Sequence, residues 1–485
     1  MNEVELKLEI TSDAVESLKA SGVLPGDPEV RQLHAVYYDT PDHALARAGL
    51  SLRVRSSGDE HIQTVKADGA TAAGLFVRSE WEAPVEGSEP VVDDSTPVKA
   101  MLGERTQDIG PVFAVDVERC IWIVHEGGSE VELVLDKGHV RAGDRSEPVS
   151  EVELELKRGT PAALFALARK LDATAPVHLG VLAKSERGYR LTKPQRTVYK
   201  AAPVTLTPEM TAAQAFQHIA QACLRQFRLN EGVLLEDRLA EALHQARVAL
   251  RRLRSAFSIF RPLFKGDEQA ATLRNELRTL AAELGNARNL DVLVEHAPEG
   301  GIHERLKAAR EEAYGQVEMT LASPRARSLL LDLVEWLAVG EWLKAAKTED
   351  LRSEPARDFA AAALNRLRRK VKKDGRDLEK ADDETRHEVR KDAKKLRYAS
   401  EFFAALFDAK RERKRHKRFL AALEDLQDHL GALNDLATAP EEMVKLGLQD
   451  DPEAQRLLKS GGKDELIAQA ADAHETLADA KRFWR

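Results

Sequence analysis

Cysteine is nearly missing: Cys120 and Cys223 are the only two in 485 residues. Neither lies in a CxxC or Cys/His spacing, which excludes a disulfide framework and a thiolate zinc site. Long hydrophobic runs are missing too. The longest, Leu329 to Leu343, is interrupted by Asp332, Glu335 and Glu341, short of the roughly 18 uncharged residues that a membrane span needs. The first residues, with Glu3 and Glu5, lack the basic and apolar regions of a secretory signal, so the expected address is cytoplasmic. No GxxxxGK[ST] loop, GxSxG elbow or HExxH helix occurs, which removes P-loop nucleotide hydrolysis and two common hydrolase chemistries. What remains is a chain 43% apolar and 32% charged with both signs mixed, the composition of a globular protein. Its length suggests two to four domains at roughly 150 residues each.

The net charge of −8 hides a division. Residues 1–200 carry 24 Lys+Arg against 33 Asp+Glu, a balance of −9, whereas residues 201–485 carry 49 against 48, a balance of +1. Texture changes at the same place. Up to about residue 200, short alternating runs are separated by Gly, Pro and Asp, which predicts strands. Beyond Pro208 the chain is rich in Ala, Leu, Arg and Glu at helical period, which predicts helices. The proline-bearing segment 193–203 reads as an extended connector.

The helical part contains a repeat. Residues 244–260 read HQARVALRRLRSAFSIF and residues 387–403 read HEVRKDAKKLRYASEFF, at an offset of 387 − 244 = 143. Each copy is long enough for about four helices. At about 100° per residue, positions 0, +3, +7 and +10 share one face. His244, Arg247, Arg251 and Arg254 therefore form one stripe, and His387, Arg390, Lys394 and Arg397 form another, while Leu243, Ala246, Leu250, Leu253 and Phe257 face a core. A solvated face normally interleaves acids to relieve repulsion, and neither stripe contains one. Nucleic acid, a membrane surface and polyphosphate are all anionic partners for such stripes. Aromatic platforms and groove-reading motifs are missing beside them, so a bare, flexible polyphosphate fits better than a nucleic acid.

These residues resemble a known family. HxxR and RRLR followed by LGxxR, then HxxRKxxKKLRY followed by LQDxLGxLND, are similar to the CHAD domain over about residues 207–485, in repeats of about 207–345 and 350–485. The resemblance implies a duplicated four-helix bundle that binds inorganic polyphosphate, with association with polyphosphate granules as a corollary. Arg288, in the first LGxxR, joins the binding set on the same ground. One departure is Asn289, where the family often has Asp.

The first part carries charge where a sandwich would carry apolar residues. Glu3, Glu5, Lys7 and Glu9 share one strand face; so do Arg53 and Arg55, Thr64 and Lys66, Arg78, Glu80 and Glu82, and Glu151, Glu153, Glu155 and Lys157. A sheet closed into a barrel turns these faces inward and leaves the apolar faces to be covered by helices such as 161–172. Burying so many charges is tolerable only with ligands that neutralise them. Arg and Lys would hold phosphoryl oxygens, and clustered Glu would bind Mg²⁺ or Mn²⁺.

In this part Glu3-Val-Glu-Leu-Lys7 opens an ordered series: Tyr37-Tyr38-Asp39-Thr40, Leu52-Arg53-Val54-Arg55, Thr64-Val65-Lys66, Arg78-Ser79-Glu80-Trp81-Glu82, Arg119, Leu135-Asp136-Lys137-Gly138, Glu151-Val-Glu-Leu-Glu155 and Lys184-Ser185. The series resembles the CYTH family of triphosphate tunnel metalloenzymes. The fusion with a CHAD domain is most similar to bacterial inorganic triphosphatases. The resemblance implies that Glu3, Glu5, Glu153 and Glu155 bind the metal, with Asp136 and Glu151 as additional ligands. It implies that Arg53, Arg55, Lys66, Arg78, Arg119 and Lys184 hold inorganic triphosphate. Lys7 then sits near the attacked phosphorus, and Lys66, Arg53 and Arg55 take part in catalysis with it. A non-catalytic polyphosphate-binding protein and a class IV adenylyl cyclase are the alternatives. Oligomeric state is not legible.

Overall fold

A computed structural model describes residues 2–67, 73–194, 197–452, 454–455 and 462–485. Gln195 and Arg196 of the predicted connector lie outside the described residues. The chain forms two compact units, Met1–Tyr199 with Leu321–Gly340, and Lys200–Thr320 with Glu341–Arg485.

The first unit is built on the strands β1 (Asn2–Ile10), β2 (Glu29–Asp39), β3 (Leu50–Ser57), β4 (Glu60–Ala67), β5 (Leu75–Pro84), β6 (Gly110–Glu126), β7 (Ser129–Ala142), β8 (Arg145–Arg158) and β9 (Val177–Leu179). Neighbours run β5-β4-β3-β2-β6-β7-β8-β1, and β5 pairs with β1, which closes an eight-stranded barrel whose pairings are all antiparallel. The β6–β7 hairpin turns at Gly127-Gly128, both at positive φ, as a two-residue turn between right-twisted strands requires.

Strand alternation decides what faces where. On the outside, Leu50, Leu52, Val54 and Val65 pack with Leu45, Val98 and Leu102 in one apolar cluster. The helix Ala162–Thr174, expected at 161–172, lies against β1 and buries Ala163, Leu164, Phe165, Leu167 and Ala168. The inside is graded along the strands. One end is apolar, with Ala35, Tyr37, Phe113, Val115, Val117 and Val140, and it is stopped by Tyr189 and Leu191 of the helix Lys184–Leu191. Beyond that stopper the inward residues become charged. Burying apolar surface at roughly 25 cal/mol per Å² on both faces offsets the cost of a charged middle.

The helix Pro324–Val339, whose sequence lies in the helical half, belongs to this unit. Arg169 pairs with its Asp332 at 2.6 Å and with its Glu335, and its Arg327 bonds Asp172 at 2.5 Å.

The second unit is all helical. Its first copy holds Ala212–Asp237, Ala240–Ile259, Glu268–His296 and Gly301–Leu321; its second holds Ala356–Asp374, Asp383–Phe402, Lys410–Lys445 and Lys463–Asp479. Several starts are written in the sequence: Thr211 and Gln214 form a capping box, and Asp267 and Asp382 accept from the N–H groups of Ala270 and Thr385. Phe260 stacks on Phe359 with ring centroids 4.6 Å apart, joining the copies through their cores.

Candidate functional site

Register places opposite charges side by side inside the barrel. Glu3 lies opposite Arg78, Lys7 opposite Glu153, Lys66 opposite Glu80, and Arg119 opposite Asp136, while Glu5 faces a like charge, Glu155. The charged part encloses a cavity of about 450 Å³. Acids are concentrated on β1 and β8 and bases on β3 to β6, with Glu80 and Glu82 of β5 and Lys7 of β1 as exceptions, and most ion pairs join neighbouring strands.

At its inner end three cations and the carboxylates Asp136, Glu151 and Glu153 form a buried knot, with Glu5 at its edge. Lys7 contacts Glu5 at 3.2 Å, Glu151 at 3.0 Å and Glu153. Lys184, carried in by the stopper helix, contacts Asp136 at 2.6 Å, Glu153 at 2.9 Å and Glu151. Arg119 grips Asp136 through two bonds of 2.8 and 2.6 Å and reaches Glu153 at 3.1 Å. Burial opposes the charge on Lys7, but Glu151, Glu153 and Glu5 outweigh it and hold its ammonium well above the ordinary lysine range. By the same balance, burial against Lys184, Lys7 and Arg119, Glu153 is held well below the carboxylate range. Lys7 is thus a permanent cation and not a proton acceptor.

Further out, Lys66 bonds Glu3 at 2.9 Å and Glu80 at 3.2 Å, and Arg78 spans Glu3 and Glu5 at 3.4 Å each. Burial raises the Glu3 carboxyl, yet Lys66 and Arg78 bring it down to about 2. Glu155 goes the other way, pushed up by burial and by Glu3 and Glu132 in spite of Lys157.

Arg53 and Arg55 differ from these. Among the described residues Arg53 has no carboxylate partner; it reaches only the Tyr37 hydroxyl at 3.4 Å, and its buried Nε finds no acceptor. Arg55 has only Glu82 at 3.6 Å. Its guanidinium is pushed below the usual arginine value by burial, then by Arg53 and Arg119. The lumen therefore holds uncompensated positive charge on one wall. On the facing strands, Glu151 Oε2 is buried without a donor, and Glu5 Oε1 makes no hydrogen bond although the Lys7 ammonium lies 3.2 Å away.

Every barrel residue given a binding or catalytic role from the sequence projects into or borders this lumen, with one distinction. Asp136 and Glu151 are fully buried behind the cavity wall. With Glu153 their oxygens converge within 4.8 Å, but Lys7, Lys184 and Arg119 already compensate them. The sequence reading omitted Glu132 and Arg31 and gave no site role to Tyr37 and Lys157, all of which line the cavity. Their signal was the same two-residue alternation, visible in Glu29, Arg31, Leu33 and Tyr37 on β2. It also omitted the fastening of the stopper: Arg187 to Glu9 and Glu147 at 2.7 Å each, and Tyr189 to Asp39 at 2.8 Å. In this helix a Cβ on Gly188 would lie 2.1 Å from the Phe113 ring. Gly188→Ala is therefore expected to cost about 1–3 kcal/mol of stability and to lower activity through Lys184; thermal melts and turnover measured together check it.

In the helical unit the two stripes, four positions each in the sequence, meet as one surface. Burial and then Arg251 of the first depress Arg390 and Lys394 of the second, and Arg288 lies near His244 and Arg247. Burial first, then Arg251 and Arg390, brings Lys394 down to about 7; burial and Arg251, Arg288 and Arg254 bring Arg247 to about 10. Other arginines of the unit are neutralised: Arg252 pairs with Glu401, Arg310 with Asp291 at 2.7 Å and Arg357 with Glu412 at 2.7 Å. Among the described residues, Arg251, Arg254, Arg390 and Lys394 have no such partner within 4.0 Å. Arg397 is the exception within the stripes, bound to Glu401 at 2.9 Å and Glu424 at 3.0 Å. The histidines are unlike: His387 bonds Asn434 at 2.6 Å, whereas burial and Arg288 lower His244.

A closed antiparallel barrel with a charge-lined interior, followed by a twofold-repeated helical unit with an unneutralised basic face, defines the class. The comparisons name its parts: the chain joins a CYTH domain, matched over residues 1–189, to a CHAD domain, matched over residues 218–443. An inorganic triphosphatase of Haemophilus influenzae is 32% identical over 162 residues, which are 32% of this chain and 44% of that protein. An uncharacterized protein of Mycobacterium tuberculosis is 29% identical over 444 residues, 82% of each chain. Among solved structures, the CHAD domain from Ricinus communis is 28% identical, covering 59% of this chain and 97% of that one at a TM-score of 0.48. A Hippeastrum protein described as a putative adenylyl cyclase with dominant triphosphatase activity is 17% identical, covering 39% and 96% at a TM-score of 0.30. Among the described residues no helix is long and apolar enough to cross a membrane.

Proposed function

We propose that the barrel hydrolyses inorganic triphosphate with a divalent metal, releasing orthophosphate and pyrophosphate, and that the helical unit binds inorganic polyphosphate. The observation that carries the reading is the guanidinium of Arg53, which among the described residues has no carboxylate partner and whose Nε lacks an acceptor, set in a cavity too charged to hold an apolar ligand. Arg53, Arg55, Lys66, Arg78 and Arg119 hold the phosphate chain, and Lys184 fixes its inner end. A water attacks the terminal phosphorus in line, the anhydride P–O bond breaks, and the guanidiniums stabilise the charge spread over the equatorial oxygens. Lys7, pinned as a cation, acts on the attacked group by charge.

The carboxylates suit a hard cation. Glu3, Glu5, Glu153 and Glu155 offer oxygen donors, Glu5 Oε1 is buried with no hydrogen bond and only the Lys7 ammonium 3.2 Å away, and Glu155 is raised by burial and then by its acidic neighbours. These four would hold Mg²⁺ or Mn²⁺, and the ion would supply Lewis-acid neutralisation of phosphoryl oxygens. Asp136 and Glu151 serve mainly to anchor Arg119, Lys184 and Lys7.

Phosphate release from triphosphate, thiamine triphosphate and ATP, with and without Mg²⁺ or Mn²⁺, tests the reading. Metal-dependent turnover of inorganic triphosphate above the others is expected. Cyclic AMP from ATP would make it a cyclase instead, and no turnover of any substrate would leave a binding protein. Glu5→Gln is expected to raise the metal concentration needed for half-maximal activity by about tenfold or more while retaining the fold.

A further inference from the structure

The basic face does not stop where the first stripe stops. Continuing the spacing of His244, Arg247, Arg251 and Arg254 by +4 and +3 gives Ser258 and then Arg261, just beyond the helix end at Ile259. Both line a groove of about 800 Å³, together with Lys265, Arg274 and Arg366. The next helix, Glu268–His296, runs back along the first and brings matching charges with it. Arg288 lies near His244 and Arg247, while Arg274 and Arg278 act on Arg254.

None of Arg261, Lys265, Arg274, Arg278 or Arg366 has a carboxylate within 4.0 Å among the described residues; Arg366 only donates to the Ile259 carbonyl at 3.0 Å. Of the two acids in the groove, Asp267 is spent capping its helix through Ala270 N–H at 2.8 Å, and Glu268 is a single exposed charge. The second copy ends differently. Glu401 stands where Ser258 does, Ala404 where Arg261 does, and Glu401 with Glu424 neutralises Arg397.

We infer that this groove is a second seat for the phosphate chain held by the stripes, so that one polyphosphate runs past Arg254 and ends among Arg261, Lys265, Arg274 and Arg366. The inference rests on the polyphosphate reading above. It makes the helical unit asymmetric, with a basic exit at the first copy and a closed end at the second. From His244 to Arg261, 17 residues at 1.5 Å each give a track of roughly 25 Å, so only a chain of that length reaches both parts.

The test uses the full-length protein, with long-chain polyphosphate and a chain too short to span the track, over a series of salt concentrations. Each phosphate contact contributes about 0.7 to the slope of log affinity against log salt for a flexible strand. Arg261→Gln with Arg274→Gln is expected to lower the long-chain slope by about 1.4 and to leave short-chain binding unchanged. Both side chains are exposed, so the melting temperature should not move. An unchanged long-chain slope in the charge-reversed Arg261→Glu, Arg274→Glu variant overturns the inference. So does an equal loss for single-stranded DNA of matched charge, which would make the groove a general anion patch. Failure of the underlying reading looks different: polyphosphate binding would then survive substitution of Arg251 and Lys394.

Discussion

Arg53→Gln is expected to reduce triphosphate turnover by about 10²–10³-fold while leaving the melting temperature unchanged or higher. The two effects have one cause. Arg53 has no carboxylate partner among the described residues, its Nε lacks an acceptor, and it repels Arg55. In the free protein such a charge is a burden, since an uncompensated cation in a half-buried place destabilises the fold. With substrate present it meets an anion in a site of low dielectric, where one guanidinium contributes most to the transition state. A residue held for stability would behave oppositely, with the melting temperature falling and turnover following it. Phosphate release and thermal melts on the same preparation distinguish the outcomes, and loss of both together would remove Arg53 from the substrate-binding set. Lys184 is a useful contrast. It sits among Asp136, Glu151 and Glu153, so its removal is expected to cost stability as well as activity.

The second large effect is on the helical face. Replacing Arg251 and Lys394 together by Gln is expected to weaken polyphosphate binding by about 10²-fold at moderate salt, at about 1.4 kcal/mol for each lost charge-assisted contact. Both residues lack a carboxylate partner within 4.0 Å among the described residues, so no intramolecular pair is broken. Lys394 adds a pH dependence. Burial, Arg251, Arg390 and Arg397 hold its pKa at about 7, against which Asp435 acts alone. Bound phosphate raises that value, so the complex takes up a proton when it forms at or above neutral pH. Affinity is therefore flat below about pH 7 and falls as pH rises beyond it, by up to about tenfold per unit until the bound-state pKa is reached. Lys394→Arg should keep the affinity and flatten the profile, because guanidinium stays charged throughout. A profile equally steep in that variant would assign the proton elsewhere. Titrations of a labelled polyphosphate between pH 6 and 9 read both effects.

Much of this was legible in the chain. Alternation with period two put Glu3, Glu5 and Lys7 on one face of β1 and Leu6 and Leu8 on the other, because side chains on a strand have no third direction. The repeat at an offset of 143 showed a duplicated helical unit, and the capping residues marked several helix starts. The stripes were visible as rows, since three- and four-residue spacings superpose on a helix.

Other features were not legible, and each depends on contacts distant in sequence. Alternation says that a strand has two faces, not which charges meet across a lumen. The knot of Lys7, Lys184 and Arg119 with Asp136, Glu151 and Glu153 needs four strands and a helix to converge. Nothing in the pattern marked Asp136 and Glu151 as lying behind the wall while Glu153 and Glu155 line it. The placement of Pro324–Val339 with the barrel unit is of the same kind: its apolar run fits any core, and the ion pairs with Arg169 and Asp172 exist only in three dimensions.

The chain by itself determined a β part with one charged face per strand and a duplicated α part with basic rows, because local periodicity and composition fix which side of an element is polar. Only the tertiary structure decided which charges are compensated. That made Lys7 and Lys184 captive cations and left Arg53, Arg251 and Lys394 with charge to spare. The reason is that an ion pair needs its partner within about 4 Å, a distance set by barrel closure and helix packing and not by any spacing along the sequence.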